Sequence, residues 1–371
     1  MDLAAYTVSG RAPARVERPT TSVELAQVLE RAHRASEAVL LWGGGTRVGI
    51  GDAPDRYDAA VDLRGLQGIV ELSPADLVCT VRAGTTLADL AAALTPVGLR
   101  WPVEAAHPER ATVGGTIASA APGASRLRHQ HVRDWVLGCE AVLGDGTRAR
   151  AGGRVVKNVT GFDLARLYSG TYGTLAALAE VSLKLVAVDP HTRTFRRGGA
   201  VSELARIGEA LRTLPLDGLA LVTHRETALY VRVAGTLPVV DRLTRELGAH
   251  GVSEPVSGDI WQRLADDCAD TAIVARLALA PGREALHQGG AVIAYLGTGI
   301  AFVLDGSVDD LRALRARCEE QGGALVLERA SDAERRALGT WGRSRVPPAI
   351  ARSLKERFDP HGVLAPGRLP A

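Results

Sequence analysis

Two segments rich in glycine and threonine carry the clearest chemistry in this chain. The first, "LWGGGTRVGIG" at 41–51, places glycine at 43, 44, 45, 49 and 51, directly after the apolar run "AVLL". Without a Cβ to block the approach, successive backbone N–H groups can point at one anion. Thr46 adds a hydroxyl, and a diphosphate is the anion that suits such a nest. The segment has no G-K-[ST], so it is not a Walker A loop, and its glycines do not fit a G-x-G-x-x-G opening a helix. Taken alone, it reads equally well as an anion nest or as a flexible turn. The second segment, "ATVGGTIASAAPGAS" at 111–125, sets Thr112, Thr116 and Ser119 around Gly114 and Gly115. Its small residues suit tight helix packing as well as a ligand wall. Two such loops in one domain would form two sides of a pocket for an extended phosphorylated cofactor.

The surrounding sequence supplies elements to hold them. Before the first loop, Thr21 and Glu24 have capping-box spacing, and Leu25, Val28, Leu29 and Ala32 make one helical stripe leading to the strand "AVLL". "LVCTVRAG" reads as a strand, followed by a helix with Thr86 and Asp89 at capping positions. This rhythm predicts an α/β unit with ligands at strand ends. "CEAVLGDGTRARA" predicts a hairpin turning at Asp145-Gly146, and "TLAALAEVSLKLV" predicts another strand. After Pro190 the pattern becomes antiparallel. "LALVTHRETALYVRVAG" and "AVIAYLGTGIAFVLDG" each read as two strands around a turn, and each is followed by a helix. Two such copies suggest a ferredoxin-like α+β arrangement.

Bulk properties narrow the function. The 371 residues allow two or three domains, and 46% hydrophobic with 23% charged residues is an ordinary globular composition. The net charge of +2, from 44 basic and 42 acidic residues, gives no electrostatic case for nucleic acid. Cys79, Cys139, Cys268 and Cys318 stand singly with no C-x-x-C pair, which argues against an iron–sulfur cluster or zinc ribbon held within this chain. No metal site is expected. The first residues lack a basic start and apolar core, so no signal peptide is expected, and no apolar run approaches the roughly 18 residues of a membrane span. The expected location is cytoplasmic, with any membrane association made through partners.

Several blocks resemble the vanillyl-alcohol oxidase / p-cresol methylhydroxylase (PCMH) class of FAD-binding proteins, and within it the E subunits of bacterial glycolate oxidase (glycolate dehydrogenase). They are "RPTTSVELAQVL", "WGGGTRVGIG", "PERATVGGTIASAAPG", "VRDWVLGCEAVLGDG", "GGRVVKNVTGFDLARLYSGTYGTLAALAEVSLKL" and the terminal "RFDPHGVLAPGRL". The resemblance implies an α+β fold: a two-subdomain PCMH-type FAD-binding domain at 1–190, a ferredoxin-like α+β cap at 191–340, and a C-terminal segment at 341–371 returning to the first domain. It implies that Gly43, Gly44, Gly45 and Thr46 hold the FAD pyrophosphate. Thr112, Gly114, Gly115, Ala118 and Ser119 line the opposite side, Gly161 and Asp163 sit near the flavin end, and Leu178 gives an apolar or backbone contact. Lys157 is a candidate for polarising the flavin, although a surface lysine is the commoner fate. No histidine lies in the Trp42 loop, where some relatives attach flavin covalently, so noncovalent FAD is expected. Ala365 replaces the usual Asn of an N-P-G tail, and Ala176 replaces a usual glycine.

The histidine-rich metal motif of catalytic relatives, resembling H-A-G-D-G-N, and their later E-H-G are both absent from this sequence. The corresponding hairpin, "AYLGTGIAFVLDG", has no His, Asp or Glu at its turn. No catalytic residue is therefore assigned. His107 stands near the second loop in sequence; His129 and His131 have metal-ligand spacing but no visible third ligand. Arg126, Arg128 and Arg133 suit a substrate carboxylate or a solvated basic loop, and Arg133-Asp134 reads as a structural ion pair. The resemblance implies an FAD-binding subunit in the oxidation of glycolate, a small 2-hydroxy acid. Its implied partners are a D-type flavoprotein subunit and an iron–sulfur F-type subunit. A stand-alone FAD oxidoreductase of another alcohol or hydroxy acid and a non-catalytic, partner-organising subunit remain open.

Overall fold

The computed structural model describes residues 2–154, 162–284, 290–344 and 346–369. Thr21 caps the helix Ser22–Arg34, its hydroxyl accepting from the Glu24 amide at 3.1 Å. The Glu24 carboxylate reaches back to the Thr20 amide at 2.7 Å. Leu25, Val28, Leu29 and Ala32 are all buried, as their spacing requires. They pack over a three-stranded parallel sheet in which Ala59–Asp62 lies between Arg15–Glu17 and Val39–Trp42. At its end Asp62 is fully buried and accepts from Tyr6, Arg18 and Arg64. Burial would raise its pKa, but those donors outweigh burial and hold it down at about 2.

The α/β rhythm stops there. The second predicted strand, Val78–Arg82, joins a five-stranded antiparallel sheet ordered Ile69–Ser73, Val78–Arg82, Ala177–Lys184, Val136–Val142, Arg148–Gly152. The Asp145-Gly146 hairpin is the pair Val136–Val142 and Arg148–Gly152. Between the two sheets run the strand end at Trp42 and the short helix Val113–Ala118, which carry the two glycine segments.

The second half is one eight-stranded sheet. Its order is Glu254–Pro255, His191–Gly198, Ala228–Gly235, Gly218–Val222, Ala291–Tyr295, Ile300–Leu304, Val274–Ala278, Ala324–Arg329. The first four strands, with helices Val201–Leu211 and Leu237–Ala249, form a β-α-β-β-α-β unit in ferredoxin-like order. The last four repeat that order in mirror sequence, with helix Val308–Glu320 before the final strand. The two units fuse through one antiparallel pair, Leu221 opposite Ala294. The three helices bury one face of the sheet. The other face packs on helix Ile260–Asp270 and receives Ala124 from the first half.

A charge network around the buried Asp217 joins the halves. Asp217 lies beside Arg232, Arg100, Arg128 and His129, while Arg128 also pairs with Asp189 and Arg232 with Glu104. The tail returns to the first sheet: the Val39 amide donates to Val363, and the Ala365 amide donates to Val39.

Candidate functional site: a cleft between two glycine segments

Ten of the twelve predicted site residues line one cleft: Gly43, Gly44, Gly45, Thr46, Thr112, Gly114, Gly115, Ala118, Ser119 and Leu178. Gly161, like Lys157, lies outside the described residues. Asp163 is exposed and away from the cleft; it caps the helix Leu164–Tyr168 by accepting from the Arg166 amide at 3.1 Å.

The glycines have distinct causes. A Cβ on Gly44 would stand 1.7 Å from the Arg110 carbonyl oxygen, and one on Gly43 would stand 2.3 Å from Thr112 Oγ1. What approaches the backbone at these positions is the second segment itself. Gly45 has φ +75, a left-handed conformation that favours glycine. Past that turn, the amides of Gly45, Thr46 and Arg47 donate no hydrogen bond among the described residues. Three adjacent free donors on residues that line a cleft can form a nest for an anion.

The second segment is a wall rather than a source of donors. Val113 and Gly114 donate their amides to Thr85 and Ala83, and Gly115 donates to Thr112 Oγ1 at 3.2 Å. Ser119 Oγ donates back to the Gly115 carbonyl at 2.8 Å. The hydroxyls left over are Thr116 Oγ1 and Tyr168 Oη, both buried in the cleft lining without a hydrogen-bond partner among the described residues. Burial, with a contribution from Cys139, pushes Tyr168 up to about 12, so it is a neutral donor near neutral pH. An orphaned buried hydroxyl carries a desolvation cost of about 1–3 kcal/mol, which a polar ligand group within reach would remove. Free amides, orphaned hydroxyls and the apolar surfaces of Ala83, Ala176 and Leu178 together fit a diphosphate carrying flat aromatic groups.

Sequence reasoning left Tyr168, Tyr172, Arg47 and Arg368 unassigned, although all four line the cleft. Arg368 arrives on the tail and donates to the carbonyls of Val48 and Ile50. Burial, with nearby Arg335, lowers its pKa to about 10, leaving it charged at neutral pH. Arg47 donates to both oxygens of the buried Glu328 at 3.0 Å, and Arg276 donates to the same carboxylate. One cap carboxylate thus pins the glycine loop.

The histidines lie elsewhere. His107 Nε2 contacts Asp270 at 2.9 Å, and His107 is outside the cleft lining. His129 faces Arg100 and Asp217, whereas His131 faces Arg126, so the pair does not converge. Asp134 pairs with Arg166 rather than with its neighbour Arg133.

Comparison with known proteins agrees with this geometry. Residues 13–152 match the family FAD_binding_4, described as an FAD binding domain. Over 328 residues the chain is 32% identical to glycolate oxidase subunit GlcE of Escherichia coli, covering 83% of this chain and 86% of that protein. It is 30% identical over 174 residues to glycolate oxidase subunit GlcD of Bacillus subtilis, covering 47% of this chain and 37% of GlcD. An alkyldihydroxyacetonephosphate synthase structure superposes with a TM-score of 0.70 at 14% identity, over 96% of this chain and 76% of that one. Fold, cleft and matched domain define an FAD-linked oxidoreductase with PCMH-type architecture, and FAD is its cofactor. Within that class, the chain belongs to the family of glycolate oxidase subunit GlcE. Among the described residues, no helix is long and apolar enough to cross a membrane.

Proposed function

We propose that this chain is the FAD-holding E-type subunit of a glycolate dehydrogenase assembly. The single observation that carries the cofactor role is the run of free amides at Gly45, Thr46 and Arg47, in the lining of a cleft that also holds two orphaned hydroxyls. The amides and Thr46 would take the diphosphate, while Thr116 and Tyr168 would donate to polar edges deeper in. Bound there, FAD supplies a two-electron acceptor. Attachment is noncovalent on this reading, since no histidine lies in the Trp42 loop. The assembly takes part in the oxidation of glycolate to glyoxylate. The cysteines are single and three of the four are buried, which supports electron exit through a D-type flavoprotein partner and an iron–sulfur F-type partner. The protein is then cytoplasmic, touching a membrane only through partners. The organisation proposed for it is an FAD domain at 1–190, a cap at 191–340 and a returning segment at 341–371.

The test is purification under mild conditions with and without the two partners, followed by anaerobic addition of glycolate. The expected result is flavin reduction in the assembly and little or none in the isolated chain. Full reduction by the isolated chain would make it a stand-alone oxidoreductase and contradict the subunit role.

A further inference from the structure

A second cavity, of about 520 Å³, opens where the first half meets the cap, and Ser119 and Tyr172 line both it and the glycine cleft. Its charge is unbalanced. Arg126, Arg133 and Arg276 all line it, and among the described lining residues the one acidic side chain is Glu104. That carboxylate is already spent: one oxygen accepts from Arg232 at 2.6 Å and the other from the Ser125 amide at 2.9 Å. Arg276 shares the single carboxylate of Glu328 with Arg47, so two cations face one anion. Arg126 makes no ion pair among the described residues; its contact is His131 Nε2 at 3.1 Å. Burial, with Arg276 and Arg133, lowers Arg126 to about 10, and burial with Arg126 and Arg133 lowers His131 below its ordinary value. The imidazole is therefore neutral at pH 7, and the excess charge of the chamber is guanidinium.

Backbone geometry marks the same place. Ala120, Gln130 and Tyr172 have φ of 46, 62 and 52, and all three line this chamber. Left-handed conformations at residues with a side chain cost on the order of 1–2 kcal/mol each. Ten described non-glycine residues have positive φ, and these three line one chamber, where the surrounding structure must hold them in place. Tyr172 stacks edge-on against Trp341 at 5.7 Å, which closes one side of the chamber.

We propose that this chamber is a binding site for a small carboxylate anion, held between Arg126 and Arg276 with Arg133 at its mouth. Guanidinium groups match a carboxylate by paired N–H donors, and a partly buried guanidinium without a counter-ion gains most from one. The site lies beside the glycine cleft, so its use for a substrate acid rests on the FAD reading; anion binding itself does not. The test is calorimetric titration of the chain with malonate, a small acid without a hydroxyl to oxidise, in the FAD-loaded and FAD-free forms. Wild type is expected to bind malonate in both forms and not to bind malonamide, its uncharged counterpart. Arg126→Met should weaken malonate binding at least tenfold, with FAD content unchanged and the melting temperature not lowered, because the arginine it replaces has no ion pair to lose among the described residues. Loss of flavin with retained malonate binding would sink the cofactor reading and leave the chamber standing. No malonate binding to wild type in either form, or equal binding by Arg126→Met, would overturn the proposal.

Discussion

Gly44→Ala is expected to abolish FAD binding, whereas Gly49→Ala in the same loop is expected to leave it intact. The contrast follows from what each new methyl meets. At Gly44 the Cβ would lie 1.7 Å from the Arg110 carbonyl oxygen, whereas at Gly49 it would meet nothing within 4 Å. Arg110 is backbone-anchored, its amide donating to the His107 carbonyl at 2.8 Å, so the glycine loop must move instead. A shift of an ångström or more would carry the free amides of Gly45 and Thr46 away from the anion they hold. Overpacking of this kind costs about 1–3 kcal/mol in stability. The loss in FAD affinity is expected to be at least about 100-fold, because several hydrogen bonds to one charged group fail together. Flavin content after reconstitution, with a melting curve to show that each variant folds, checks both halves. Equal flavin content in the two variants would mean that contact between the two segments does not build the cleft.

Glu328→Gln should destabilise the whole chain and weaken FAD binding at once. Glu328 is buried and holds Arg47 of the glycine loop and Arg276 of the cap. Removing its charge leaves two guanidiniums without a counter-ion in the interior, at a cost of about 3 kcal/mol. In a protein of this size that lowers the melting temperature by about 4 °C. The same pair gives a pH signature. Burial alone would raise the Glu328 pKa, but Arg47 and Arg276 outweigh it, and the carboxyl is held below its ordinary value. The folded form therefore binds this proton less tightly than the unfolded chain. Its contribution is fully present above the ordinary carboxylate range and is lost as pH falls through and below it. Melting curves from pH 7 to pH 3 should show Glu328→Gln converging on wild type at the acid end. A constant difference at every pH would mean that the ion pairs are not what the substitution removes.

The parts of the site legible from sequence were the local ones. The glycine run, the Thr86 cap and the Asp145-Gly146 turn are short-range devices, and each stands where its pattern puts it. The strand and helix alternation around Leu25–Leu41 was legible for the same reason, since its period reflects burial on one face. What was not legible depends on distant pieces meeting. Arg368 reaches the glycine loop from 320 residues away. Glu328 sits in "ALVLER", where only the fold reveals that its carboxylate turns inward. Tyr168 and Tyr172 stood inside the block "ARLYSGTYGTL", but nothing in that string shows that one hydroxyl is orphaned. Asp163 shows the opposite case: its place before "LARLY" is a capping position, and capping is the role the structure gives it.

On the proposed reading, one FAD sits in the cleft between the two glycine segments, held without a covalent bond. Titration of the purified wild-type chain with FAD, followed by acid precipitation, tests it most directly. Saturation is expected at one flavin per chain, with all of the flavin released into the supernatant. A chain that stays colourless at saturating FAD would contradict it, as would flavin that remains with the precipitate.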